Sequence, residues 1–259
     1  MKKHKINSLP KIDKKGNVVG LLTSLMNPKN KFIENKLIFM VGGKGKRLMP
    51  LTKTIPKPMI KIKGKPILEI LIEKARDEGF TNIQLMAGYL GKKIKKYFNN
   101  GKDFGVNIDY YFEKKPLGTA GSLSFLKTQS KIPVIVANGD LITQVKYSDI
   151  LNYHIKQKND VTIVVKKHEI MNPYGVVKIL RNKVVDLTEK PSSSSYVSAG
   201  IYVFNPVLFK NIKRNKYLDM TTLLNLLIEK RYRINAYPLH ENWIDIGLHS
   251  HLKIAKRKQ

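Results

Sequence analysis

The passage from an apolar run into a glycine-rich loop at residues 37–48 constrains this chain most. Five consecutive apolar residues, Leu37-Ile38-Phe39-Met40-Val41, lead directly into Gly42-Gly43-Lys44-Gly45-Lys46-Arg47. A short run with no polar face reads as a strand buried on both sides, the condition of strands in a parallel sheet. The loop leaves several backbone N–H groups unobstructed by Cβ atoms and adds three cations, which suits phosphate oxygens. A plain glycine turn after a strand is the alternative, and the spacing matches neither GxxxxGK[ST] nor GxGxxG.

The strand rhythm repeats down the chain. Pro66 leads Ile67, Leu68, Leu71, Ile72 and Ala75 at helical spacing, and Gly79 closes that helix. A strand at 83–88, a helix near 91–98, the strand NIDYYFE, a helix start at Gly118-Thr119 and the strand PVIVANGD come next. This alternation predicts an α/β fold: a three-layer, Rossmann-like, mixed but mostly parallel sheet. The second half is less regular. Strands are expected at 161–165, 175–180 and 183–188, the last two joined by an Arg181-Asn182 hairpin turn, and serines 192–195 read as a polar, mobile loop. SAGIYVF reads as another strand, and Asp219 as the N-cap of a helix carrying Leu223, Leu224, Leu227 and Ile228. At the other end, residues 8–26 read as strand, Lys-Lys-Gly turn, strand and helix start. The expected division is a hairpin unit at 1–28, a linker at 29–36 and one domain at 37–259.

Charge and composition narrow the function. The 48 Lys+Arg against 19 Asp+Glu leave a net charge of +29. These cations are scattered over every segment without an arginine-rich block, so they read as a genomic bias toward lysine codons, with no specific nucleic-acid partner. With 42% hydrophobic residues the chain can build a sizeable core. Zero cysteines remove disulfides, thiolate metal sites and cysteine nucleophiles. No apolar run approaches the ~20 residues of a membrane span, and the basic start has no apolar stretch behind it. A soluble, cytoplasmic protein without a membrane partner is expected.

The loop continues as Arg47-Leu48-Met49-Pro50-Leu51-Thr52, then Pro56-Lys57-Pro58-Met59, then Gly64-Lys65-Pro66-Ile67-Leu68. Further along, in order, stand LGTAGSL (117–123), ANGDL (137–141), PYGVV (173–177), TEKP (188–191), SAGIYVF (198–204) and WIDIG (243–247). Together these motifs resemble the sugar-phosphate nucleotidyltransferases, over residues 37–250. Members of that family join a nucleoside triphosphate to a sugar 1-phosphate and release pyrophosphate, so the expected partners are those two substrates. The resemblance implies that Gly42, Gly43 and Gly45 lie under the triphosphate, with Arg47 on its outer phosphates and Lys57 across from it. Gly118 and Thr119 would line the nucleotide side, ordinary helix capping being the alternative. It implies Mg²⁺ held by Asp140 and Asp245, although Asp140 alone could be a helix N-cap. Glu189 and Lys190 would grip the acceptor, with Gly175 and Ser198 beside the sugar; an exposed ion pair is the alternative for Glu189 and Lys190.

Two residues depart from the family pattern. Lys46 stands where threonine is usual and Ser198 where asparagine is usual, departures that bear on affinity and sugar choice more than on the reaction. The six histidines show no metal-ligand spacing. LPKIDKKGNVVGLLTS resembles the closing part of a CBS motif, found ahead of this transferase domain in a bacterial subgroup linked to GDP-hexosamine and legionaminic-type sugars. LDMTTLLNLLIEK (218–230) resembles a helix of guanylyl- and heptose-type members. The two resemblances favour GTP and a hexose 1-phosphate such as glucosamine or mannose 1-phosphate. A thymidylyl-, uridylyl- or cytidylyltransferase, or a non-catalytic nucleotide-binding relative, are the alternatives, and a homo-oligomer is left open.

Overall fold

The computed structural model describes residues 8–12, 16–23, 32–126 and 131–258. Strands β1 (Ser8–Ile12) and β2 (Val18–Thr23) pair antiparallel, with Ser8 opposite Thr23. The helix start expected at 24–26 lies outside the described residues. Ile33, in the segment read as a linker, already donates its N–H to the Gly79 carbonyl at 3.0 Å.

The apolar run becomes β3 (Leu37–Val41), and a small hairpin of β4 (Lys61–Ile62) and β5 (Lys65–Pro66) feeds helix α1 (Ile67–Asp77). Then come β6 (Asn82–Ala87), α2 (Gly91–Phe98), β7 (Asn107–Phe112), β8 (Val134–Asn138), β9 (Leu141–Thr143) and α3 (Tyr147–Lys156). The second half contributes β10 (Val161–Met171), β11 (Val176–Leu180), β12 (Lys183–Thr188), β13 (Ser192–Phe204), α4 (Met220–Glu229), β14 (Ile234–Pro238), β15 (Trp243–Asp245) and α5 (His249–Lys258).

Seven strands form the central sheet in the order β14-β10-β13-β8-β3-β6-β7. Every adjacent pair is parallel except those of β13, which runs antiparallel to both β10 and β8. Successive residues of β3 point to opposite faces, so the apolar run serves two cores. Leu37, Phe39 and Val41 join Leu68, Leu71 and Ile72 of α1 on one side. Ile38 joins Leu223 and Leu227 of α4 with Leu208 and Phe209 on the other. Each such buried side chain contributes about 1.5–3 kcal/mol of transfer free energy. Three layers therefore follow from the alternation of a single strand.

Two local expectations are corrected, and a third holds in position but not in its side-chain bond. Serines 192–195 are not a loop: they open β13, where Ser192 faces Met171 and Ser195 faces His168. Backbone pairing to the far half of β10 decides the conformation there, and the serine side chains stay exposed. The helix expected at Gly118-Thr119 begins later, as a 3₁₀ turn over Gly121–Phe125. Asp219 does occupy the N-cap position of α4, but its side chain caps nothing; Tyr217 Oη donates to both of its oxygens, at 3.1 and 3.0 Å.

His154 illustrates how the fold accommodates a buried polar group. Asn159 Nδ2 donates to Thr162 Oγ1 at 2.9 Å, so the threonine hydroxyl donates onward to His154 Nδ1 at 3.0 Å. His154 Nε2–H then donates to Asn205 Oδ1 at 3.3 Å. The neutral ring is fully satisfied, and burial lowers its pKa from 6.5. Because the unfolded chain takes up this proton first, stability is fully present above pH 6.5 and is lost as pH falls through the window below it. Melting temperatures should therefore drop between pH 7 and 5, and His154→Gln should flatten that slope; an unchanged slope would remove His154 as its cause.

Candidate active site

A cleft of 860 Å³ opens where β3, β6 and β8 end, lined by Gly42 to Arg47, Gly88, Glu113, Gly118, Thr119, Asp140 and Asp245 among others. Crevices beyond the carboxyl ends of parallel strands are the usual ligand seat of open α/β sheets. Local turns fix the loop after β3. Gly45 is left-handed (φ +61°), and a Cβ there would stand 2.9 Å from Thr52 Cγ2 and 3.2 Å from Lys57 Cβ. Thr52 Oγ1 donates to the Gly45 carbonyl at 2.9 Å, and the Leu48 N–H donates to the same oxygen at 2.9 Å. Pro56 and Pro58 bracket Lys57 in a 3₁₀ turn over Lys57–Met59, closed by Met59 N–H to the Pro56 carbonyl at 2.8 Å. The root of Lys57 is thereby pinned beside the glycine loop.

Both candidate metal carboxylates face that lysine. β15 pairs with β9, placing Asp245 opposite Leu141 and so next to Asp140, and Ile246 N–H donates to the Asp140 carbonyl at 3.1 Å. Lys57 Nζ pairs with Asp140 Oδ2 and lies 3.7 Å from Asp245 Oδ1. Burial pushes the Asp140 carboxyl above its ordinary range, Lys57 opposes that rise, and Asp245 adds to it. Two carboxylates already converging on one cation form a donor set that fits a shared Mg²⁺. Among the described residues no cluster of three or more His, Asp or Glu could hold a metal, so phosphate oxygens and water would complete the shell. The same neighbourhood holds Arg47: a Cβ on Gly247 would lie 3.3 Å from Asp245 Oδ2 and 3.4 Å from both terminal nitrogens of Arg47.

Gly118 and Thr119 are fixed from the segment before α4. Gly118 is left-handed (φ +77°), and a Cβ there would come within 2.5 Å of the Leu218 carbonyl oxygen. Thr119 Oγ1 accepts the Met220 N–H at 2.7 Å, capping α4 from a distant stretch of the chain. The capping alternative and the cleft-lining role thus fall on one residue.

The residues expected beside the sugar lie elsewhere. Gly175, Glu189, Lys190 and Ser198 do not line the cleft; they belong to an arm built from β11, β12 and the outlying halves of β10 and β13. Glu189 Oε2 lies 3.2 Å from a Cβ position on Gly175, and Glu189 pairs with Lys190 at 3.7 Å, both exposed. Ser198 Oγ shares a 2.8 Å hydrogen bond with Tyr202 Oη. The arm is rooted beside the cleft: a Cβ on Gly200 would stand 2.5 Å from Nδ2 of Asn138, a cleft-lining residue.

Sequence reasoning missed two participants. Glu113 brings a carboxylate to the cleft wall, 3.2 Å from a Cβ position on Gly42. Burial raises its pKa. The available signal was that Glu113 is the only acid between Asp109 and Asp140. His251 Nδ1 donates to the Asp245 carbonyl at 2.6 Å and holds the end of β15 in place.

Comparison with known proteins identifies the family. The family model described as nucleotidyl transferase matches residues 36–259. The chain belongs to that family. It is 33% identical over 234 residues to a UTP–glucose-1-phosphate uridylyltransferase of Synechocystis sp., covering 82% of this chain and 60% of the relative. It is 32% identical over 220 residues to the mannose-1-phosphate guanylyltransferase catalytic subunit beta of Danio rerio, covering 82% and 61%. The chain thus spans about 60% of the length of these curated relatives. Among solved structures, the HddC protein of Yersinia pseudotuberculosis superposes with a TM-score of 0.66 at 24% identity, over 86% of this chain and 99% of that one, a likeness of fold. No helix among the described residues is long and apolar enough to cross a membrane.

Proposed function

We propose that this chain is a cytoplasmic, Mg²⁺-dependent enzyme that transfers a nucleotidyl group from GTP to a hexose 1-phosphate, releasing pyrophosphate. The observation that carries the reading is one cleft at the strand ends that gathers a glycine loop, two cations on short rigid turns and two carboxylates. A phosphate oxygen of the sugar 1-phosphate attacks the α-phosphorus in line; the new P–O bond forms as the bond to pyrophosphate breaks. The acceptor monoester, with second pKa about 6, is already largely ionised at neutral pH, so no protein base is required. Gly42, Gly43 and Gly45 offer N–H groups to the triphosphate, while Arg47 and Lys57 offset the charge that collects on the leaving pyrophosphate. Asp140 and Asp245 would hold the magnesium ion, which supplies further charge neutralisation at the phosphates. Gly175, Glu189, Lys190 and Ser198 take the acceptor, which requires the arm and the cleft to approach when sugar phosphate binds. The hairpin at residues 8–12 and 18–23 is read as the CBS-like remnant of the same proposal.

Glu113 supports the choice of GTP. A carboxylate only accepts hydrogen bonds, and guanine presents two adjacent donors, N1–H and the N2 amino group, whereas the other bases set a donor beside an acceptor. Equimolar GTP, UTP, CTP and dTTP, incubated with mannose, glucosamine or glucose 1-phosphate, should yield mainly a GDP-sugar on chromatography, and Glu113→Gln should erode that preference. A UDP-, CDP- or dTDP-sugar as main product would remove the GTP assignment. Absence of any NDP-sugar would remove nucleotidyl transfer itself.

A further inference from the structure

The Lys57 ammonium occupies the meeting point of the two carboxylates assigned to the metal, paired with Asp140 Oδ2 and 3.7 Å from Asp245 Oδ1. Only 12% of the Lys57 side chain and 19% of the Asp140 side chain are exposed, so bulk water and salt screen this contact weakly. A divalent ion bound through the same oxygens would face the ammonium at close range. Lysine and metal therefore compete for one seat. The root of Lys57 cannot retreat, because Pro56 and Pro58 hold its turn. Its flexible stem can move the ammonium, and the root already touches the glycine loop, with Lys57 Cβ 3.2 Å from a Cβ position on Gly45.

We infer that Lys57 is a placeholder cation: in the free protein it keeps Asp140 and Asp245 paired and excludes a divalent metal, and it yields the seat only when a triphosphate offers its ammonium phosphate oxygens beside the glycine loop. This rests on the metal assignment of the proposed function and adds an order to it. Metal and triphosphate enter together, and metal alone binds poorly. The arrangement also spares two adjacent carboxylates from facing each other without a counter-charge whenever the cleft is empty.

Binding of Mn²⁺ to the full chain, followed by water-proton relaxation, tests this without turnover. With no nucleotide present, Lys57→Met should bind one Mn²⁺ at least about tenfold more tightly than the wild type, since a neighbouring unit charge shifts such equilibria by one to three powers of ten. Lys57→Arg, which keeps the charge, should resemble the wild type. Adding Asp140→Asn to Lys57→Met should abolish the gained site. In the wild type alone, α,β-methylene-GTP should raise Mn²⁺ affinity of the protein by a comparable factor after correction for the analogue's own chelation. Equal Mn²⁺ affinity in wild type and Lys57→Met, survival of the gained site without Asp140, or no effect of the analogue would each overturn the inference. Should such a result accompany normal formation of an NDP-sugar, the placeholder role falls and the proposed function stands.

Discussion

Asp140→Asn and Asp245→Asn should each lower turnover by at least about two powers of ten, because each removes one of the two charges proposed to hold a metal against the phosphates. The defect should lie in kcat more than in fold. Burial outweighs Lys57 at Asp140 and raises its pKa from 3.8. A carboxyl with a raised folded pKa stabilises the fold at low pH, and that contribution is lost as pH rises from 3.8 through the raised value. At pH 7 the ionised group is consequently a cost, so the melting temperature of Asp140→Asn should be no lower than that of the wild type. A variant that kept near-normal turnover at limiting Mg²⁺ would show that Asp140 does not hold the metal. One that lost activity only by unfolding would show that the carboxylate serves structure.

Arg47→Ala should raise the triphosphate KM first and reduce kcat/KM by about a hundredfold, the usual scale for a charge-assisted donor at a transferring phosphate. Arg47 lines the cleft and flanks Gly247 together with Asp245, so its guanidinium is held where the outer phosphates would lie. Lys190→Ala should instead raise the KM for sugar 1-phosphate while leaving that for nucleotide nearly unchanged, since Lys190 stands on the arm. Initial-rate kinetics with each substrate varied separately distinguish the two. Equal effects of both substitutions on both substrates would mean that the pocket is divided differently.

The fold was legible where one physical demand dominates. A five-residue apolar run such as Leu37–Val41 can hardly be anything but a two-sided buried strand, and the glycines after it mark its end. The hairpin turn at Arg181-Asn182 was equally readable, and both residues adopt positive φ, 45° and 63°. Serines 192–195 were misread because their strand state depends on the far half of β10, a pairing their own composition does not announce. In the site, residues carried by dense motifs came together in the cleft: the glycine loop, Arg47, Lys57, Gly118, Thr119, Asp140 and Asp245. Glu113 escaped notice because a lone acid at a strand end, although the only one between Asp109 and Asp140, does not by itself mark a site. Its meaning arises only when the end of β7 is brought beside Gly42 by the β3–β6–β7 pairing. The seat of Lys57 between Asp140 and Asp245 is likewise a product of tertiary structure, since three separated segments must meet to create it.

Pyrophosphate release, measured with purified chain under four conditions, tests the central claim most directly. With GTP, mannose or glucosamine 1-phosphate and Mg²⁺ together, pyrophosphate should appear in step with an NDP-sugar; omitting either substrate, or adding EDTA, should abolish it. Release from triphosphate alone, or turnover that persists with the metal chelated, would contradict in-line nucleotidyl transfer at this cleft.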